Sequence, residues 1–194
     1  MTRRSDRGPQ LPLLAWGDQL RAERANRRRL GRRVAIIGLG ITVLGLTAAF
    51  PPAPRLVWNA SASAPIGLYA VTPGAEGDPG DMVIARVPDP WRMLAASRRY
   101  LPANVPLVKR VAAGPGDEIC ALGQEIFING KWAAARLVAD AHGRAMPWWS
   151  GCVRLHGDQF FLLMSSSPAS FDGRYFGVTG STEIVGKARP LWTR

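Results

Sequence analysis

From Val34 to Phe50 the chain reads VAIIGLGITVLGLTAAF, an apolar run without a charge, and it stops at Pro51, Pro52 and Pro54. A helix of this run rises about 26 Å, the short end of what crosses a hydrocarbon core of ~30 Å, and Arg33 can snorkel to lengthen it. The pattern predicts a transmembrane helix over residues 34–50. A cleaved signal peptide is the rival reading, but the polar leader of residues 1–33 is longer than such peptides carry. Within that leader, a short amphipathic helix placing Leu13, Leu14, Trp16 and Leu20 on a membrane surface competes with a solvated tail.

After the prolines the pattern changes to short apolar segments divided by turn residues: GLYAVTP, DMVIARVP, VPLVKRVAAG, EIFING, QFFLLMS and TEIVGKARPLW. These read as strands. Asn129-Gly130 lies between two of them and is a strong hairpin signal. Residues 89–104 read as one short helix or an irregular flap. The pattern as a whole predicts a mainly β body over residues 51–194.

Composition changes this picture in two places. The net charge of +11 invites a nucleic-acid reading, yet residues 1–33 hold ten arginines against three acidic residues and so carry +7 of it. A basic groove on the body is therefore not expected, and nucleic acid is excluded as a partner. The arginines before the span instead point to a cytoplasmic N-terminus, which puts the body on the far side of the membrane. Both cysteines, Cys120 and Cys152, fall in that exported part, where a disulfide forms readily; two buried free thiols are the alternative. Neither cysteine has a histidine at zinc-site spacing, and no metal or organic cofactor is indicated.

The chain has only three lysines, Lys109, Lys131 and Lys187. Lys109 is the one set inside an apolar strand. Period-two alternation puts it on the face of Leu107 and Val111, with Arg110 opposite. Burial there lowers a lysine pKa toward neutrality, so that the free amine can serve as a base; an edge lysine that snorkels to solvent is the bland alternative. The two histidines, His142 and His156, sit in turns, and no G-x-S-x-G elbow is present.

The string NASASAPIGLY (59–69), soon after an apolar span, resembles the nucleophile motif of the signal peptidase I superfamily (peptidase family S26). Its S-x-P-x-G-L-Y form is most similar to the TraF-type conjugative-transfer peptidases. LVKRVAAGPGD (107–117) is similar to the lysine motif, GDMVIAR (80–86) to the strand motif between them, and SFDGRYFG (170–177) to the last motif. The resemblance implies Ser63 as nucleophile and Lys109 as general base. It also implies Ser61 as an oxyanion donor, with a simple turn residue as the alternative, and Ser170 as a hydroxyl touching the base. Asp172, counted with the catalytic set, orients the lysine or pairs with Arg174. Secretory signal peptidases carry Gly-Asp-Asn before the last motif; here Ser165-Ser166-Ser167-Pro168 stands instead, which favours the TraF branch.

The fold so implied is a set of coiled antiparallel sheets forming a partly open barrel behind one transmembrane helix. The implied protein is a single-pass enzyme of the bacterial inner membrane with a periplasmic peptidase domain. Its partners are a pilin or preprotein polypeptide, membrane lipid and conjugative (type IV secretion) components. A general signal peptidase and a non-enzymatic pilus assembly factor are the competing functions.

Overall fold

The computed structural model describes residues 12–50 and 52–194; the first eleven residues of the expected leader, Pro51 and the side chains of Leu13 and Leu14 lie outside the described residues. The chain divides into two units, residues 1–52 and 53–194.

In the first unit the described part of the leader, from Pro12, and the apolar run form one continuous helix, α1 (Pro12–Ala49). Its portion Trp16–Ala49 is long and apolar enough to cross a membrane by length and composition. The expected boundary at residue 33 is thus a change of side chains, not of backbone. Nothing between Gly17 and Ala49 breaks a helix as proline would, and Pro51 and Pro52 prevent its extension.

The second unit is built from β1 (Leu56–Asn59), β2 (Gly67–Pro73), β3 (Met82–Ala85), β4 (Leu107–Ala113), β5 (Glu118–Leu122), β6 (Glu125–Ile128), β7 (Lys131–Ala135), β8 (Gly151–Arg154), β9 (Gln159–Leu162), β10 (Thr179–Gly180) and β11 (Ile184–Thr193). Two short helices accompany them, α2 (Asp89–Ser97) and α3 (Gly173–Phe176). The strands pair antiparallel in a sheet of order β1-β2-β11-β3-β4-β9-β10 and a smaller one of order β7-β6-β5-β8. The larger sheet curls into a half-barrel, with register shifts in β4 and twice in β11 that bend the strands.

The smaller sheet lays Ile119, Ala121, Ile126 and Ala134 against Phe161 of β9 and Leu163 just after it. A second cluster, Val87, Ala95, Leu107, Phe171, Tyr175 and Phe176, packs α2 and α3 onto one end of β4. Strand β4 is therefore covered on both sides of its central residues. Cys120 and Cys152 face each other across β5 and β8 and are joined by a disulfide.

Candidate active site

Ser61 and Ser63 sit in the loop that joins β1 to β2, closed at its base by the pairing of Asn59 with Gly67. Glycine is required at that base, because a Cβ on Gly67 would run into the Trp192 carbonyl oxygen of the neighbouring strand β11. The loop is short of regular pairing, yet Ala64 is buried and Ser63 half-buried. The Tyr69 hydroxyl, anchored in β2, donates to the Pro65 carbonyl at 2.8 Å.

Lys109 lies in the middle of β4, paired through Val83 to β3, and is 2 % exposed. Arg110, on the opposite face, is exposed and donates to the Gly80 carbonyl. The Lys109 amine lies 2.7 Å from Ser63 Oγ and 2.8 Å from Ser170 Oγ. Burial pushes its pKa down to about 8; the Asp172 carboxylate pulls the other way, and the Arg174 guanidinium nearly alongside it pushes down again. Lys131 is exposed, and Lys187 is ion-paired with Asp81.

Ser61 Oγ stands 3.0 Å from Ser63 Oγ and accepts the Ser63 backbone N–H at 3.3 Å. In this geometry the serine hydroxyl and the backbone N–H are satisfied by one another. Offering both to an oxyanion takes a rotation of the Ser61 side chain about χ1.

Ser170 and Asp172 follow β9. Asp172 is fully buried and caps α3 by accepting the Arg174 backbone N–H; its other oxygen accepts the Met164 N–H at 3.0 Å. Of the two arrangements expected for Asp172, pairing with Arg174 is the one present, and among the described residues no hydrogen bond runs from its carboxylate to the Lys109 amine. Arg174, 1 % exposed, also donates to the carbonyls of Ala135, Met164, Ser167 and Pro168. The departure Ser165-Ser166-Ser167-Pro168 is therefore a segment wrapped around this guanidinium.

A cleft of about 590 Å³ opens on the pair, lined among others by Ser61, Ser63, Lys109, Leu107, Met146 and Phe171. A shallower depression bounded by Ala62, Pro65, Ser166 and Arg194 lies on the other side of Ser63. Sequence reading missed the outer wall of the cleft. There Asp140 accepts hydrogen bonds from the Tyr100 hydroxyl at 2.6 Å, the Arg144 guanidinium at 2.7 Å and the backbone N–H groups of His142 and Arg144. The turn that holds His142, AHGRA, is where this hub lies. His142 itself is exposed at the cleft wall.

A half-barrel presenting a buried amine to a serine hydroxyl defines a class of proteins that the sequence comparisons specify. Residues 28–192 match the family described as "Signal peptidase, peptidase S26", and the chain belongs to that family. Membership implies peptidase activity. Among its relatives, a "Conjugal transfer protein TraF" of Agrobacterium fabrum is 32% identical over 181 residues, covering 87% of this chain and 98% of the relative. A "Plasmid transfer protein TraF" of Escherichia coli is 32% identical over 176 residues, covering 86% and 97%. A solved signal peptidase I of Enterococcus faecalis is 16% identical with a TM-score of 0.35, covering 58% of this chain and 96% of its own.

Proposed function

We propose that the chain is a membrane-anchored serine endopeptidase in which Ser63 is the nucleophile and Lys109 the general base, acting on a conjugative pilin subunit. The observation that carries the reading is the 2.7 Å approach of a buried amine to the Ser63 hydroxyl. A serine hydroxyl is a poor nucleophile until a base takes its proton, and an amine with a pKa of about 8 is partly free at neutral pH. The 32% identity to TraF proteins over nearly their whole length supports a role in conjugative transfer, in which a pilin subunit is the expected polypeptide substrate.

As Ser63 Oγ attacks the scissile carbonyl, its proton passes to the Lys109 amine and a tetrahedral oxyanion forms. Ser61 Oγ–H, after rotation, and the Ser63 backbone N–H then stabilise that oxyanion. Collapse breaks the C–N bond, and the Lys109 ammonium returns the proton to the departing amine, leaving an acyl-Ser63 ester. Water, deprotonated by Lys109, releases a linear acid; attack by the substrate's own N-terminal amine releases a ring instead. Ser170 Oγ holds the amine between the two hydroxyls. Asp172 and Arg174 touch no reacting atom and act as positioning residues. The helix serves as the anchor in the bacterial inner membrane, with the arginine-rich leader in the cytoplasm and the peptidase body in the periplasm.

The test is co-expression of the chain with the pilin subunit of its own transfer system, followed by mass spectrometry of the products. The wild-type chain is expected to process the pilin, and Ser63→Ala and Lys109→Ala to leave it intact. A product lighter by one further water marks ring closure, whereas linear products from many exported proteins mark a general signal peptidase. Unchanged processing by Ser63→Ala overturns the enzyme reading and leaves a non-enzymatic assembly factor.

A further inference from the structure

The loop that carries Ser61 and Ser63 makes few of the backbone pairings that would hold a segment rigid, yet its geometry relative to Lys109 is tight. One side chain accounts for this. Asn59, the last residue of β1, is 7 % exposed and turns its amide into the loop. Its Oδ1 accepts the Ser61 backbone N–H at 3.1 Å. Its Nδ2 donates to the carbonyls of Ser61 at 3.0 Å, Ala64 at 3.1 Å and Pro65 at 3.0 Å. With one N–H and three carbonyls around it, the amide has a single orientation that satisfies its partners, and one of its two hydrogens is shared.

Ser61 is thereby gripped at both of its backbone polar groups, so its Cα and the direction of its Cα–Cβ bond are fixed from the base of the hairpin, while χ1 stays free to turn. From Ser61 Oγ the connection continues to the Ser63 N–H and Ser63 Oγ, and from there to the Lys109 amine. The grip on Ala64 and Pro65 fixes the chain on the far side of Ser63. Among the described residues, no other side chain bonds to the backbone on both sides of Ser63.

We infer that the Asn59 amide is a positioning group of the nucleophile loop: by holding Ser61 and the Ala64–Pro65 carbonyls together, it sets Ser63 within proton-transfer distance of Lys109. The inference rests on Ser63 and Lys109 being the reacting pair. It assigns to Asn59 an effect on the chemical step and not on substrate affinity, because the amide is directed into the loop. A displacement of about 1 Å between nucleophile and base costs on the order of 100-fold in rate.

The experiment uses the full chain in detergent with the pilin subunit as substrate. Asn59→Asp keeps the shape and the acceptor for the Ser61 N–H but removes every donor to the three carbonyls; Asn59→Ser keeps only a small hydroxyl. Rates are normalised to the folded fraction from a melting curve of the same sample. The expected result is a fall in kcat of about 100-fold in both variants with KM within about twofold. In Asn59→Ser, which adds no charge, the pH at which activity rises is expected to stay at about 8, because other residues bury Lys109.

Normalised activity within about threefold of wild type in either variant would overturn the proposal. So would a midpoint in Asn59→Ser that drifts toward the ordinary lysine value of ~10.4, which marks a general loosening of the site. Failure of both variants to fold overturns it as well, since the amide would then hold the fold and not the loop. Ser63→Ala and Lys109→Ala are run alongside: if they remain active, it is the assignment of the reacting pair that fails.

Discussion

Asp172 and Arg174 meet through two parallel contacts, Arg174 Nε to Oδ1 at 2.8 Å and Nη2 to Oδ2 at 3.1 Å, with both side chains shut away from solvent. The pair matters to Lys109 because its two charges act on the amine with opposite sign. The carboxylate alone would hold the ammonium; the guanidinium beside it cancels much of that pull, so burial decides the outcome.

Arg174→Met is therefore expected to act twice. It leaves a buried carboxylate without its partner and takes a donor from four backbone carbonyls, of which Met164 and Ser167 keep the N–H groups of Ser167 and Ser170, at a cost of about 3–5 kcal/mol in unfolding free energy. In the fraction that folds, the activity midpoint moves above its wild-type value because Asp172 is no longer countered. Denaturant titration and a pH–rate profile measure the two effects. The double variant Asp172→Leu/Arg174→Met is expected to lose less stability than the single one, since no charge is left buried.

For the wild-type chain, kcat/KM is expected to rise tenfold per pH unit below the Lys109 pKa of about 8 and to level off above it. Only the free amine accepts the Ser63 proton, and at pH 7 about a tenth of the sites carry it. A profile that falls with pH across this interval would remove Lys109 from the role of base.

Burying this lysine has a second consequence, for stability. Its folded pKa of about 8 lies below the ordinary value, so between about pH 8 and pH 10.4 the unfolded chain binds more protons. Stability accordingly rises with pH through that interval, and below it the chain bears the full cost of desolvating the amine. Lys109→Met fills the same space without that cost. The variant should be inactive, yet more stable than wild type by about 1–3 kcal/mol at pH 7, with the gain shrinking toward pH 10. Denaturant unfolding at the two pH values checks both the sign and the trend.

What could be read from the sequence followed from periodicity. GLYAVTP coincides with β2 because its burial alternates along the strand, and Asn129-Gly130 forms its hairpin with φ of 49° and 75°, the turn that asparagine and glycine favour. Strand β8 went unnamed for a matching reason: all four of its residues are exposed, so it carries no alternating trace. Lys109 stood out as a rare lysine in an apolar strand. Asn59 and Asp140 did not, because each works by bonding irregular backbone around it, and such bonds leave no period in the sequence.

The disulfide offers a separate test of how far the site depends on the smaller sheet. Strand β8 is an edge strand, paired to β5 alone, and Cys120–Cys152 closes a loop across a sequence separation of 32 residues. On the chain-entropy account, opening that loop lowers stability by about 3–4 kcal/mol. Ser63, Lys109 and Ser170 belong to the larger sheet and its connections, and among the described residues none of them bonds to β5 or β8. Cys120→Ser/Cys152→Ser is therefore expected to lower the melting temperature by several degrees and to speed amide exchange in Gly151–Arg154. Its kcat at a temperature well below melting should stay within about twofold of wild type. A loss of kcat in fully folded protein would mean that the β5–β8 pairing is transmitted to the nucleophile loop, contrary to the separation of the two sheets.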